Sequence, residues 1–119
     1  IKVNTEVEDI MFDFISDIDI TAIFANLWDN AIEACRKVEP SGRFVNIIIG
    51  RVNDFVVISF ENAFDGVLHE KGGKLFSTKE QHEGVGVSII KSSVEKYKGT
   101  LVIEHDENMF KANALIPLA

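Results

Sequence analysis

Two apolar runs, Phe44 to Val52 and Phe55 to Asn62, stand on either side of Asn53-Asp54, and no other feature limits the fold of this chain so strongly. Both runs are rich in β-branched and aromatic residues, and asparagine and aspartate tolerate the backbone of a tight turn. The pair is therefore predicted to be an antiparallel hairpin. Ile1 to Thr5 alternates apolar and polar residues and reads as a short strand. Thr100 to His105 and Phe110 to Leu118 read as two more strands around the turn Asp106-Glu107-Asn108.

Between these strands lie two helical patterns. From Asp19, with Asp19 or Thr21 as the cap, Ala22, Ile23, Phe24, Leu27, Trp28, Ala31, Ile32, Cys35 and Val38 recur at helical spacing until Pro40-Ser41-Gly42 ends the run. A polar, acidic connection holding Ile10, Met11, Phe12, Phe14 and Ile15 leads into it. A second helix is predicted from about Val85 to Lys98, with Gly99 in the C′ position that favours glycine. The stretch Ala63 to Glu83 has no period and contains Gly66, Gly72 and Gly73. A loop of roughly twenty residues in a small domain is usually functional, as a lid, or disordered. The order is strand, helix, strand, strand, loop, helix, strand, strand. It predicts an α+β fold: a two-layer sandwich whose mixed, largely antiparallel sheet is covered on one face by helices.

The 119 residues suit one domain spanning 1–119, and a hydrophobic content of 46% supplies a core. No apolar run approaches the roughly 20 residues of a membrane helix, and no secretion signal is visible. A single cysteine, Cys35, excludes an internal disulfide and fits a reducing cytoplasm. The first residue is Ile1, as in a fragment cut from a longer chain. Residues 1–33 carry eight acidic groups against Lys2 alone, a charge that repels nucleic acid. Residues 66–98 hold six lysines, at 71, 74, 79, 91, 96 and 98, an attraction for an anionic ligand or else plain solvated surface.

At about 100° per residue, Asn26, Asn30, Glu33 and Lys37 share one line along the first helix. Two carboxamides one turn apart can offer oxygen to a hard cation and hydrogen bonds to phosphate; the plainer alternative is a solvated face. Gly84-Val85-Gly86 opens the second helix, where free N–H groups and the helix dipole favour an anion and glycine permits close approach. It could equally be a hinge. It is no dinucleotide fingerprint, because Ile89 stands three residues after Gly86, and Gly73-Lys74-Leu75 with Leu68 upstream is no Walker loop. His69, His82 and His105 lack metal-ligand spacing, and Trp28 and Cys35 read as core or interface residues.

In this order, these features resemble the GHKL, or Bergerat-fold, ATPase superfamily of DNA gyrase, MutL and the histidine kinases. Asn26-Leu27-Trp28-Asp29-Asn30-Ala31 resembles the kinase N box, and Phe76-Ser77-Thr78-Lys79 with Gly84-Val85-Gly86-Val87 resembles the lid and G2 region of peptide-pheromone receptor kinases of Gram-positive bacteria. The resemblance implies that ATP and Mg²⁺ are bound: Asn30 holding the metal, Asn26 beside the triphosphate, Gly84 and Gly86 closing on phosphate, and Thr78 and Lys79 reaching it from the lid. The usual D-x-G-x-G box is replaced by Glu61-Asn62-Ala63-Phe64-Asp65-Gly66, in which the amide oxygen of Asn62 can accept from adenine. Hydrolytic members carry a glutamate base at the position of Asn26, and a carboxamide cannot take a proton from water. The implied function is phosphoryl transfer to a histidine on dimerisation helices and then to a response regulator, in the cytoplasmic part of a membrane-anchored receptor with no direct membrane contact by this domain. Two alternatives stay open: a degenerate nucleotide-binding or helix-docking module, and an anti-sigma-type serine kinase.

Overall fold

The computed structural model describes residues 1–10, 12–66, 70–71, 74–75 and 85–118. Five strands form one sheet in the order β1-β2-β3-β7-β6: β1 (Lys2–Val7), β2 (Phe44–Val52), β3 (Phe55–Ala63), β6 (Thr100–His105) and β7 (Met109–Pro117). Only β1 and β2 run parallel; the other neighbours are antiparallel. Helices α1 (Asp17–Cys35) and α2 (Val85–Glu95) pack on this sheet and on each other, so the expected mixed, one-face-covered sandwich is found. A short pair, β4 (Glu70–Lys71) and β5 (Lys74–Leu75), lies within the expected lid, most of which falls outside the described residues.

The hairpin closes as its sequence predicts. Val52 pairs with Phe55, and Asn53 takes the left-handed conformation at φ 55°. Alternation along the strands then sorts the side chains. Val45, Ile49, Val56, Ile58, Phe60, Ala112, Ala114 and Ile116 are buried toward the helices, while the outer face carries polar ladders. On that face Asn4 Nδ2 donates to Asn46 Oδ1 at 3.0 Å, Asn46 Nδ2 to Glu61 Oε1 at 2.9 Å, and Ser59 Oγ to Asn113 Oδ1 at 2.8 Å. Such bonds between neighbouring strands fix the register as firmly as the apolar pattern does.

Helix α1 presents Ile23, Leu27, Ala31, Ala34 and Cys35 to the core, and α2 presents Ile90 and Val94. Each fully buried aliphatic chain contributes about 1.5–3 kcal/mol. Helix α1 starts two residues before the expected Asp19. Its N-cap is Ser16, whose Oγ accepts from the Asp19 amide at 3.2 Å, and Asp17 and Asp19 favour the positive end of the helix dipole.

The end of α2 also differs from expectation. Lys98, not Gly99, takes the left-handed position, with φ 63°. The Gly99 amide donates to Val94 O and the Lys98 amide to Glu95 O, both at 2.9 Å, the bonding of a Schellman motif with Lys98 at C′. Gly99 is needed for space: a Cβ there would lie 2.5 Å from Leu115 O and 2.6 Å from Val94 Cγ1.

Candidate functional site

Along the line of Asn26, Asn30, Glu33 and Lys37, the first three are half-buried and Lys37 is exposed, so the line is solvated only at its far end. Asn26 Nδ2 donates to Ala22 O at 2.7 Å, which satisfies the carboxamide nitrogen within the helix. Its oxygen faces α2: a Cβ built on Gly86 would lie 3.5 Å from Asn26 Oδ1. At the other end of the helix pair, Lys96 Nζ lies 3.0 Å from Asp19 Oδ2. Gly86 thus meets the middle of α1 and Lys96 its beginning, so the helices are antiparallel. Asn30 lies about 6 Å further along α1 at 1.5 Å per residue, past the level of Gly86.

The third carboxamide comes from the sheet. Asn62, 1% exposed, sits at the end of β3 on the helix-facing side. Its Nδ2 donates to Ala63 O at 2.9 Å; a carbonyl only accepts, so the contact settles which end of the amide is nitrogen. Phe110 is its partner across β7, and the Phe110 ring lies 5.5 Å from that of Phe64 and 6.4 Å from that of His105. This aromatic group beside Asn62 went unnoticed in the sequence, where only the replacement of the D-x-G-x-G box by Asn62-Ala63-Phe64 hinted at it.

Asn26, Asn30, Asn62 and Gly86 are therefore described; Thr78, Lys79 and Gly84 lie outside the described residues, as do His69 and His82. Among the described residues, no group of three His, Cys, Asp or Glu could hold a metal ion. Cys35, fully buried, donates to Phe44 O at 3.3 Å, and burial pushes its thiol pKa up. It is an inert core residue. Trp28 sets its ring edge-on to Phe60 at 6.3 Å and remains 37% exposed.

Comparison with known proteins bears on the same arrangement. Residues 15–117 match the GHKL domain family, a span that takes in α1 and everything from β2 to the end of β7. The chain belongs to this family. A probable C4-dicarboxylate sensor kinase of Halalkalibacterium halodurans is 30% identical to this GHKL domain over 96 residues, 76% of the chain and 18% of the relative. Sporulation kinase E of Bacillus subtilis is 29% identical over 90 residues, 71% of the chain and 12% of the relative. The chain thus spans less than a fifth of the length of these kinases.

Among solved structures, the histidine kinase domain of the blue-light activated kinase of Erythrobacter litoralis EL346 superimposes with a TM-score of 0.75 at 17% identity, covering 98% of this chain and 51% of that one. The catalytic domain of the histidine kinase ThkA gives 0.71 at 24% identity, covering 98% and 78%. The fold of this GHKL domain is that of histidine kinase catalytic domains, a nucleotide-binding fold. Among the described residues, no helix is long and apolar enough to cross a membrane.

Proposed function

We propose that this GHKL domain binds MgATP and is the catalytic domain of a two-component sensor kinase, donating the γ-phosphoryl group to a histidine on dimerisation helices outside these 119 residues. The observation that carries the reading is the meeting of Asn26 Oδ1 with Gly86 at the start of α2. It sets one carboxamide of a helix, with a second one turn further on, at the electropositive beginning of another helix, an arrangement suited to a polyphosphate.

The residues fit a shared Mg²⁺ better than a caged one. With no acidic or histidine cluster among the described residues, a hard cation would take one oxygen from Asn30 and the rest from phosphate and water, as Mg²⁺ commonly does. The metal would neutralise charge on the phosphates. Asn26 would orient the triphosphate without serving as a base, which favours transfer to a protein over hydrolysis. Asn62, its nitrogen turned to Ala63 O, would offer its oxygen to the adenine amino group, beside the rings of Phe64 and Phe110. The backbone at Gly84 and Gly86 would close on phosphate, with Thr78 and Lys79 reaching it from the lid. The histidine nitrogen would form a bond to the γ-phosphorus as the bridging P–O bond breaks and ADP leaves; a response regulator would accept the group next. The setting is the cytoplasmic part of a membrane-anchored receptor.

Titration with an unhydrolysable ATP analogue, with and without Mg²⁺, tests the reading. Binding should be Mg²⁺-dependent, and Asn30→Ala should remove that dependence while circular dichroism stays unchanged. No binding in the unaltered protein would overturn the function, and unchanged Mg²⁺ dependence in Asn30→Ala would remove the metal role.

A further inference from the structure

Helix α2 is held unevenly. Its buried residues, Ile90 and Val94, occupy its middle and end, and Gly99 lodges against Leu115 O. In the first turn, Gly86 and Val87 are half-buried, Ser88 is exposed and Ile89 is 39% exposed. Residues 86–89 are thus less buried than Ile90 and Val94, and the firm hold on α2 lies further down the helix.

A latch just past the end of α2 does this. The Tyr97 hydroxyl accepts from the Ser16 amide at 3.0 Å and donates to Asp19 Oδ2. The same carboxylate oxygen accepts from Ser16 Oγ at 2.8 Å and pairs with Lys96 Nζ at 3.0 Å. In a capping box a glutamate three residues after the cap reaches back to the cap's own amide. Asp19 is one methylene shorter, and here the hydroxyl of Tyr97 spans the gap between the Ser16 amide and Asp19. The second helix thus completes the cap of the first. The Asp19 carboxyl is lowered from 3.8 to about 2, through the Tyr97 hydrogen bond first and then those from Lys96 and Ser16, as a carboxylate held in its charged form should be.

We infer that Tyr97 is a positioning residue for the nucleotide site: through its bonds to Ser16 and Asp19 it fixes α2 along α1 and so holds Gly86 against Asn26. The inference rests on the nucleotide-binding reading above. From Gly86 to Glu95 runs about 14 Å of helix, stiff over that distance, and Tyr97 follows in the turn bonded to its last residues through Tyr97 N to Val94 O at 3.1 Å. Freeing one end with Ile90 and Val94 as the pivot moves the other.

Tyr97→Phe tests this, because it keeps the ring and removes both bonds. The affinity for the unhydrolysable ATP analogue with Mg²⁺ should weaken about fivefold, the equivalent of one hydrogen bond of about 1 kcal/mol. The amide resonance of Gly86 should shift in the nucleotide-free protein. A core variant remote from the latch, Val56→Ala, should lose at least as much thermal stability yet keep both the affinity and the Gly86 resonance. Unchanged affinity and an unmoved Gly86 resonance in Tyr97→Phe would overturn the inference, as would equal loss of affinity in Val56→Ala. If Tyr97→Phe does not fold, Asp19→Ala, which removes the carboxylate that accepts from the Tyr97 hydroxyl, should move the Gly86 resonance in the same way, and an unmoved resonance there would also overturn it. Failure of the unaltered protein to bind the analogue counts against the function, whereas the Gly86 resonance reports on the latch independently.

Discussion

Gly99→Ala should be among the most damaging single-methyl additions in the molecule, although Gly99 follows a helix end where alanine is often tolerated. The added Cβ would stand 2.5 Å from Leu115 O, 2.6 Å from Val94 Cγ1 and 3.0 Å from Val94 O. Carbon-to-oxygen contacts ordinarily begin near about 3.3 Å, so α2 and β7 must separate by roughly 0.8 Å. Neither side yields easily, since Val94 is fully buried and Leu115 belongs to a strand paired on both edges. Overpacking of this kind costs about 1–3 kcal/mol, and disturbing the bond from the Gly99 amide to Val94 O adds about 1 kcal/mol. The expected loss is about 2–4 kcal/mol, or about 8–16 °C in Tm for a domain of this size. The neighbouring change should have the opposite sign. Lys98→Gly relieves a left-handed side chain, a gain of about 1–2 kcal/mol offset in part by the freedom of glycine in the unfolded chain. Thermal and urea unfolding of both variants decide the matter. A Gly99→Ala protein within 2 °C or so of the original, on the scale just used, or a Lys98→Gly protein that is the less stable of the two, would refute the assignment of space to one residue and backbone twist to the other.

Two further outcomes follow from the electrostatics and from the chain's contents. Asp19 titrates at about 2 in the folded protein against 3.8 as its ordinary value; a lowered carboxyl contributes stability that is fully present above about pH 4 and is lost as pH falls toward 2. Urea midpoints measured from pH 5 to pH 2 should therefore converge for the original and Asp19→Asn at the acid end, and a gap that stays constant would exclude the latch as its source. The 119-residue chain incubated alone with labelled ATP should acquire no phosphate on His69, His82 or His105, and adding separate phosphoacceptor helices should create a labelled species; acid-labile label on the isolated chain would contradict the transfer proposed here.

The parts of the fold legible in the sequence are those decided locally. The β2–β3 hairpin is set by Asn53-Asp54 and by the runs flanking it, and its ends fall within one residue of where these residues place them, β3 running on from Asn62 to Ala63. The start of α2 at Val85 and the whole of β6 are equally local. The beginning of α1 was misplaced because Ser16, Asp17, Asp19 and Thr21 all have cap chemistry, and the choice among them is made by Tyr97, 81 residues away. Gly99 misled for a similar reason: a glycine after a helix suggests a left-handed turn, and only the position of Leu115 O shows that bulk is the constraint. For the site, the spacing of Asn26 and Asn30 revealed a shared helix line, but that Asn26 on this line meets Gly86 of α2 depends on how the helices pack.

Strand β1 gives the sheet a margin with its own mechanical character. All six of its residues are exposed, among the described residues it pairs with β2 alone, and it lies before the stretch shared with the GHKL family. A pull on its amino end would unzip the pairs one at a time, from Lys2 and Phe44 toward Val7 and Ile49, breaking the Asn4–Asn46 contact and leaving the core dry. The tear would meet resistance at Glu8, whose amide holds Ile49 O at 2.9 Å and whose carboxylate accepts from the Arg51 amide at 3.3 Å. Beyond that clasp lies the connection to Ser16, where Tyr97 grips the start of α1. Strain entering through β1 is thus shed as a peeled strand before it reaches the helices, which makes β1 a fuse for the rest of the fold.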